Sequence, residues 1–326
     1  MAPGAFKGAQ SHFNIRVTSG GTVMGSKKST NPENKNKVLL FLALGLPILS
    51  WGSAFPGIRY ALSGYAPIQI ASLRFVIASA LLLGYALFKG FGLPDKRDIP
   101  MISFLAITGV LLYHVPLNTG ARTVTAGTVS LLNSTAPVFT ALLSSALIGE
   151  RIQSRGWLGI FLSFTGAGLL AFSNGKGFSF SFGAAWILFA AFSESFYFIY
   201  QKGLLFKYGA VRLTTYVVWF GAVIMLPFSG NLMSALRDAP TGATLAVIYM
   251  GIFPTAIAYV LWAYDLSILP ASRVASLLYL SPVISIFLGW VWLGEKPGFL
   301  TIGGGIIAIL GVYCVQRSRI TAKGTD

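Results

Sequence analysis

Glu194 lies in the apolar stretch AAFSESFYFIY, about midway along a run long enough to cross a bilayer. An ionised carboxylate at that depth is costly unless water, a counter-charge or a bound solute meets it. The residue therefore points to two roles, binding the amine of a solute or carrying a proton in turn with it. The competing reading is a protonated carboxyl that hydrogen-bonds a neighbouring helix. His114, in LLYHVPLN, can relay a proton near neutral pH, or stay neutral and bond between helices. The second histidine, His12, lies far away in sequence, so no histidine-based metal site can be assembled. Asn118 and Asn133 read as polar pocket or interhelical groups. Arg74, in SLRFVIASALLL, has the planar fork that grips a carboxylate or phosphate. A snorkelling or carbonyl-bonding structural arginine is the preferred reading.

These groups must be positioned by membrane helices. The chain has 326 residues, 55% hydrophobic and only 10% charged, with a mean hydropathy of +0.72. Soluble cores cannot hide that apolar excess, so the surface faces lipid. Runs of about 20 apolar residues cross a bilayer as helices. Ten such runs occur, near 38–62, 67–88, 99–121, 124–148, 156–173, 181–202, 213–230, 243–264, 272–294 and 299–316. The fold class expected is all-α integral membrane. Cys314, the single cysteine, excludes a disulfide framework.

The net charge of +15 would suggest nucleic acid in a soluble protein. Here 18 of the 24 Lys and Arg residues fall on the side shared with the N-terminus. Both termini are therefore expected in the cytoplasm, and no nucleic-acid partner is needed. Residues 1–37 are polar and basic and lack an apolar signal core, which predicts a disordered cytoplasmic tail. Met24 offers a second start. Residues 317–326 form a short cytoplasmic tail.

A shift of 145 residues aligns AGTVSLLNSTAPVFTALLSSALIGE, from Ala126 to Glu150, with ASRVASLLYLSPVISIFLGWVWLGE, from Ala271 to Glu295, without a gap. The identities include Pro137/Pro282, Gly149/Gly294 and Glu150/Glu295, and Gly159/Gly304 and Gly166/Gly311 continue the match. Five spans per half is an odd number, so the halves, 38–173 and 181–316, are inverted in the membrane. Inverted repeats are a recurrent route to alternating access. Pro137 and Pro282 are expected to bend helices for gating. Glu150 and Glu295 are expected in helix-end or gate contacts at opposite surfaces.

With SWGSAF at Ser50 to Phe55, the SLRFVIASALLL segment and the two Pro-Val segments ending in Gly-Glu, residues 38–316 resemble the drug/metabolite transporter superfamily, in particular its EamA-type members. The resemblance implies ten helices, two EamA repeats and a central cavity lined by spans one, three, four, six, eight and nine. Trp51, Phe55, Tyr113, Tyr197, Tyr200, Tyr259, Trp262 and Tyr279 lie on those spans and would give it an amphipathic lining. Trp290 and Trp292 read as interfacial anchors.

No Walker A, Rossmann, HExxH or GxSxG pattern occurs, and Gly303 to Gly305 reads as close helix packing, so neither cofactor nor nucleotide hydrolysis is expected. The expected function is secondary transport, with export of small polar metabolites such as amino acids across a bacterial inner (plasma) membrane. Proton coupling and uncoupled exchange both stay open. An integral membrane transferase fits less well, because no polar catalytic cluster sits near one interface, and the chain is not read as an enzyme. The partners expected are a small-molecule substrate and the lipid bilayer. One chain can form a complete transporter, and a homodimer stays open.

Overall fold

The computed structural model describes residues 32–149, 151–172, 181–268, 278, 280–317 and 320–321. The bundle described here lies in the unit Leu39–Asp326. Its spans are helical because a chain in hydrocarbon must satisfy its own N–H and C=O groups. They are α1 (Pro32–Ala61), α2 (Pro67–Phe88), α3 (Ile99–Ala106, a π turn at Ile107–Leu111, then Leu112–Gly120) and α4 (Ala126–Asn133 and Ala136–Ile148). After α5 (Ser154–Ala171) come α6 (Phe182–Tyr208) and α7 (Ala210–Met225). The last are α8 (Thr241–Met250, a π segment at Gly251–Ile257, then Ala258–Ile268), α9 (Leu280–Leu293) and α10 (Phe299–Arg317). Every predicted run thus contains a helix. A two-residue antiparallel pair, Arg151–Ile152 with Ile320–Thr321, is the strand structure among the described residues.

Helix ends differ from the hydropathy limits where a helix outruns its apolar stretch. The α1 helix starts at Pro32, inside the segment read as a disordered tail, and α6 runs on past Lys202 to Tyr208. Helix propagation continues into the polar layer until a residue leaves helical dihedrals. Gly209, with φ of +75°, is that residue for α6.

The repeat is visible in the packing of α5 against α10. A Cβ on Gly159 would stand 2.6 Å from the Gly311 carbonyl oxygen, and one on Gly166 would stand 2.6 Å from that of Gly304. The repeat equates Gly159 with Gly304 and Gly166 with Gly311, so each glycine packs on the counterpart of its neighbour. That exchange requires antiparallel helices about a two-fold axis. Gly149 and Gly294, another repeat pair, have φ of +74° and +68°. Each ends its helix in the left-handed region that glycine enters without a steric penalty, which turns the following residue off the helix axis.

Outside the spans, the loop after α2 is clamped to the end of α6. Lys207 Nζ meets Asp95 Oδ2 at 3.2 Å and Asp98 Oδ2 at 2.5 Å, and the Tyr208 hydroxyl also donates to Asp98. The hydrogen bond from Lys207, with that from Tyr208, holds the Asp98 carboxyl below its ordinary range. Asp95 is lowered first by the Arg97 backbone N–H and then by Lys207. Carboxyls lowered by folding stabilise the fold above their unfolded value of about 4 and lose that contribution as pH falls through the lowered value. The clamp should therefore be indifferent to pH between 6 and 8, taken as roughly the neutral range, and loosen in acid. Asp98→Asn should speed amide exchange in residues 89–98 already at neutral pH, while bundle stability stays nearly unchanged.

Candidate functional site

Glu194 is set in place by the serines on either side of it. Ser193 Oγ donates to the Thr108 carbonyl of α3 at 3.0 Å, and Ser195 Oγ donates to the Ala136 carbonyl of α4 at 3.0 Å. Both serines are buried. The triplet thus ties α6 to two spans at the level of the carboxylate. Glu194 itself is half-buried and makes no hydrogen bond or ion pair among the described residues. Its field reaches Tyr113 on α3, Tyr197 on α6 and Tyr259 on α8.

The Thr108 carbonyl belongs to the π turn of α3, and the π segment of α8 falls at the corresponding place in the second repeat. A π turn lengthens the helical hydrogen-bond step and frees acceptors, and such turns gather at functional sites. In α8 the cause is Pro254, which has no N–H to donate. The Pro254 carbonyl accepts from Trp51 Nε1 at 2.9 Å, and the Thr255 hydroxyl donates to the Met250 carbonyl at 2.9 Å. Arg74 Nε donates to the same Thr255 hydroxyl. So α6 is tied to the α3 π turn, while α1 and α2 are tied to the α8 π segment.

Trp51 meets Tyr259 and Trp262 with ring centroids 5.9 and 5.0 Å apart. Tyr197 lies over Gly109 of the α3 π turn, where a Cβ would stand 2.7 Å from its ring. Asn133 lies near Tyr113, and its Oδ1 is unpaired among the described residues. Tyr113, Asn133, Glu194, Tyr197, Trp51, Tyr259 and Trp262 thus come together from α1, α3, α4, α6 and α8.

Other predicted members are placed differently. His114 is 3% exposed and edge-on between Tyr113 and Phe75, with both ring nitrogens unpaired among the described residues. Asn118 Nδ2 donates to the Pro67 carbonyl at 3.0 Å, the interhelical role. Phe55 packs in the apolar core with Ile58 and Leu117. Tyr200 is exposed against Phe104. Trp290 and Trp292 are exposed, as anchors would be. Arg74 is 5% exposed and donates to the Thr255 hydroxyl, with no carbonyl partner among the described residues. Pro137 and Pro282 stand in the first turn of Ala136–Ile148 and of α9. Glu150 and Tyr279 lie outside the described residues.

One end of the bundle is latched. Arg59, on α1, donates from Nε to Glu295 Oε1 at 2.9 Å and from Nη1 to the carbonyls of Ala121 and Arg122 at 2.7 and 3.1 Å. Glu295 Oε2 accepts the Ala126 N–H at 2.7 Å. The cation meets the carbonyl end of α3 and the anion the amide end of α4, each complementing a helix dipole. The ends of α1, α3, α4 and α9 are thereby joined. The start of α6 lies at this end, with the Gly183 carbonyl against Gly120. Lys202 is therefore at the other end, where a cavity of about 280 Å³ lies among Pro137, Thr140, Ser144, Phe198, Lys202 and Gln316. Phe198 is one turn beyond Glu194 on α6.

Sequence reasoning missed Asp265, which is buried near the end of α8 with both carboxylate oxygens unpaired among the described residues. Ending that span at 264 left it outside the membrane; letting the helix run on by one turn would have flagged it. The π segments and Thr255 were also missed, although Pro254 was a usable signal.

Comparison with known proteins fits this arrangement. The model of the EamA-like transporter family matches residues 38–172 and 181–317, one copy per half. The "Uncharacterized transporter YdfC" of Bacillus subtilis is 40% identical over 85% of this chain and 91% of its own length. The "Probable terminal-alkyne amino-acid exporter" of Streptantibioticus cattleyicolor is 36% identical over 85% and 93%. The "Uncharacterized inner membrane transporter YedA" of Escherichia coli is 29% identical over 87% and 94%. One solved crystal structure shares the fold, with a TM-score of 0.58 at 20% identity over 85% of this chain and 96% of that one. A ten-span bundle of two inverted halves, each matched by one copy of the family model, belongs to the EamA-like transporter family.

Proposed function

We propose that the chain exports small amino acids or similar amines by alternating access, with Glu194 receiving the ammonium group. The observation that carries this reading is the Glu194 carboxylate, without a partner among the described residues, on a helix that Ser193 and Ser195 tie to α3 and α4. Such a group is stable when it holds a cation or a proton. It cannot hold both at once, and that exclusion couples proton entry to solute exit. Tyr113, Tyr197, Tyr259, Trp51 and Trp262 supply apolar faces for a side chain, with hydroxyls for its polar end.

The excess of Lys and Arg on the N-terminal side supports cytoplasmic termini. The latch of Arg59 and Glu295 then lies at the outward end of the bundle. The relative named as an amino-acid exporter supports the substrate class, and the relative named as an inner membrane transporter supports the compartment.

Counterflow of radiolabelled amino acids in proteoliposomes of the purified chain tests this reading. Uptake driven by a preloaded amino acid and enhanced by an opposing pH gradient is expected. Uptake that needs a counter-substrate but ignores the pH gradient means exchange without protons. No flux of any amino acid under either condition overturns the substrate class.

A further inference from the structure

Arg74 is a second charge without a counter-ion among the described residues. It is the eighth residue of α2 and is 5% exposed. Its Nε is occupied by the Thr255 hydroxyl, which in turn donates to the Met250 carbonyl. Thr255 thereby fixes the guanidinium edge-on to the π segment of α8. The two Nη nitrogens have no hydrogen-bond or ion-pair partner among the described residues. Tyr113 and Tyr259 lie within its field, and so does His114, whose ring nitrogens are unpaired.

An arginine keeps its charge in proteins, so it cannot escape burial by losing a proton. A buried charge left without its counterpart is strongly destabilising. No described carboxylate, Glu194 included, pairs with it. A guanidinium whose Nε is tied back offers its Nη pair to a planar anion, and two parallel N–H donors match the spacing of carboxylate oxygens.

The geometry points to Arg74 as the seat of a substrate carboxylate, with Thr255 as its positioning residue and Tyr113 and Tyr259 beside the bound group. The assignment rests on the transport reading above for the class of solute, and it gives the acid end of an amino acid a site of its own, apart from the amine end at Glu194.

The test uses fragments carrying one end of such a solute, so that the two assignments fail separately. Purified full-length protein is titrated with butyrate, with its neutral isostere butyramide, and with butylamine, while thermal stability is followed. Butyrate should stabilise the wild type and butyramide should not. In Arg74→Gln the butyrate concentration needed should rise about tenfold or more, as expected for loss of a charge-assisted pair. Arg74→Lys, which keeps the charge without the fork, should recover part of the response. Butylamine should still stabilise both variants, because its site is Glu194.

Labelling of the wild type removes dependence on variant folding. The Arg74 guanidinium should react with p-hydroxyphenylglyoxal, as read by mass spectrometry of its peptide, and butyrate should slow that reaction where butyramide does not. Equal effects of butyrate and butyramide, or an unchanged butyrate response in Arg74→Gln, overturn the assignment. Loss of the butylamine response alone would overturn the Glu194 reading and leave this one standing.

Discussion

Glu194→Gln is expected to cut amino-acid counterflow by about 30-fold or more, the equivalent of the roughly 2 kcal/mol or more lost when one partner of a buried charge pair is truncated. The substitution keeps the size of the side chain, and Ser193 and Ser195 still tie α6 to the Thr108 and Ala136 carbonyls. Folding should therefore be nearly unaffected. What is lost is the negative charge. An amide cannot take the proton and cannot answer an ammonium, so residual transport should also become insensitive to an imposed pH gradient. Glu194→Asp keeps the charge on a shorter stem and should retain a measurable rate. Wild-type rates in Glu194→Gln, with the pH response intact, would rule out both roles.

The second large effect falls on stability. Gly311→Leu should lower the free energy of unfolding by about 3 kcal/mol, the upper part of the usual range for overpacking. A Cβ at that position would stand 2.3 Å from the Ser163 backbone nitrogen and 2.6 Å from the Gly159 carbonyl oxygen. Both obstacles are backbone atoms, so no rotamer change relieves them, and α5 and α10 must separate. Gly303→Leu is the control. It adds the same side chain to the same helix at a site with no atom within 4 Å. Thermal unfolding in detergent should separate the two variants clearly, and equal stability would show that α5 and α10 do not pack through their glycines.

The glycines also show why so much of the architecture was legible. Hydropathy reveals spans because lipid imposes one rule on every residue of a crossing helix, and that rule acts locally. The repeat reveals inversion because an odd number of spans per half permits no other topology. Gly149 and Gly294 could be read as a pair at helix ends, since the left-handed conformation is a property of one residue. What could not be read was which partner each polar group takes. Serines beside Glu194 are ordinary residues until Thr108 and Ala136 offer carbonyls, and the α3 carbonyl is exposed by a π turn that contains no proline to announce it.

By itself, then, the sequence determined the ten spans, their grouping into two inverted halves, the excess of positive charge on one side and the presence of isolated charges at membrane depth. Only the tertiary structure decided what those charges meet. Arg59 and Glu295 are 236 residues apart, and Arg74 and Thr255 are 181 apart. No local pattern links such pairs. They are set by how the halves cross, because in hydrocarbon a polar group is stable only beside whatever donor or acceptor the neighbouring helix presents at the same depth.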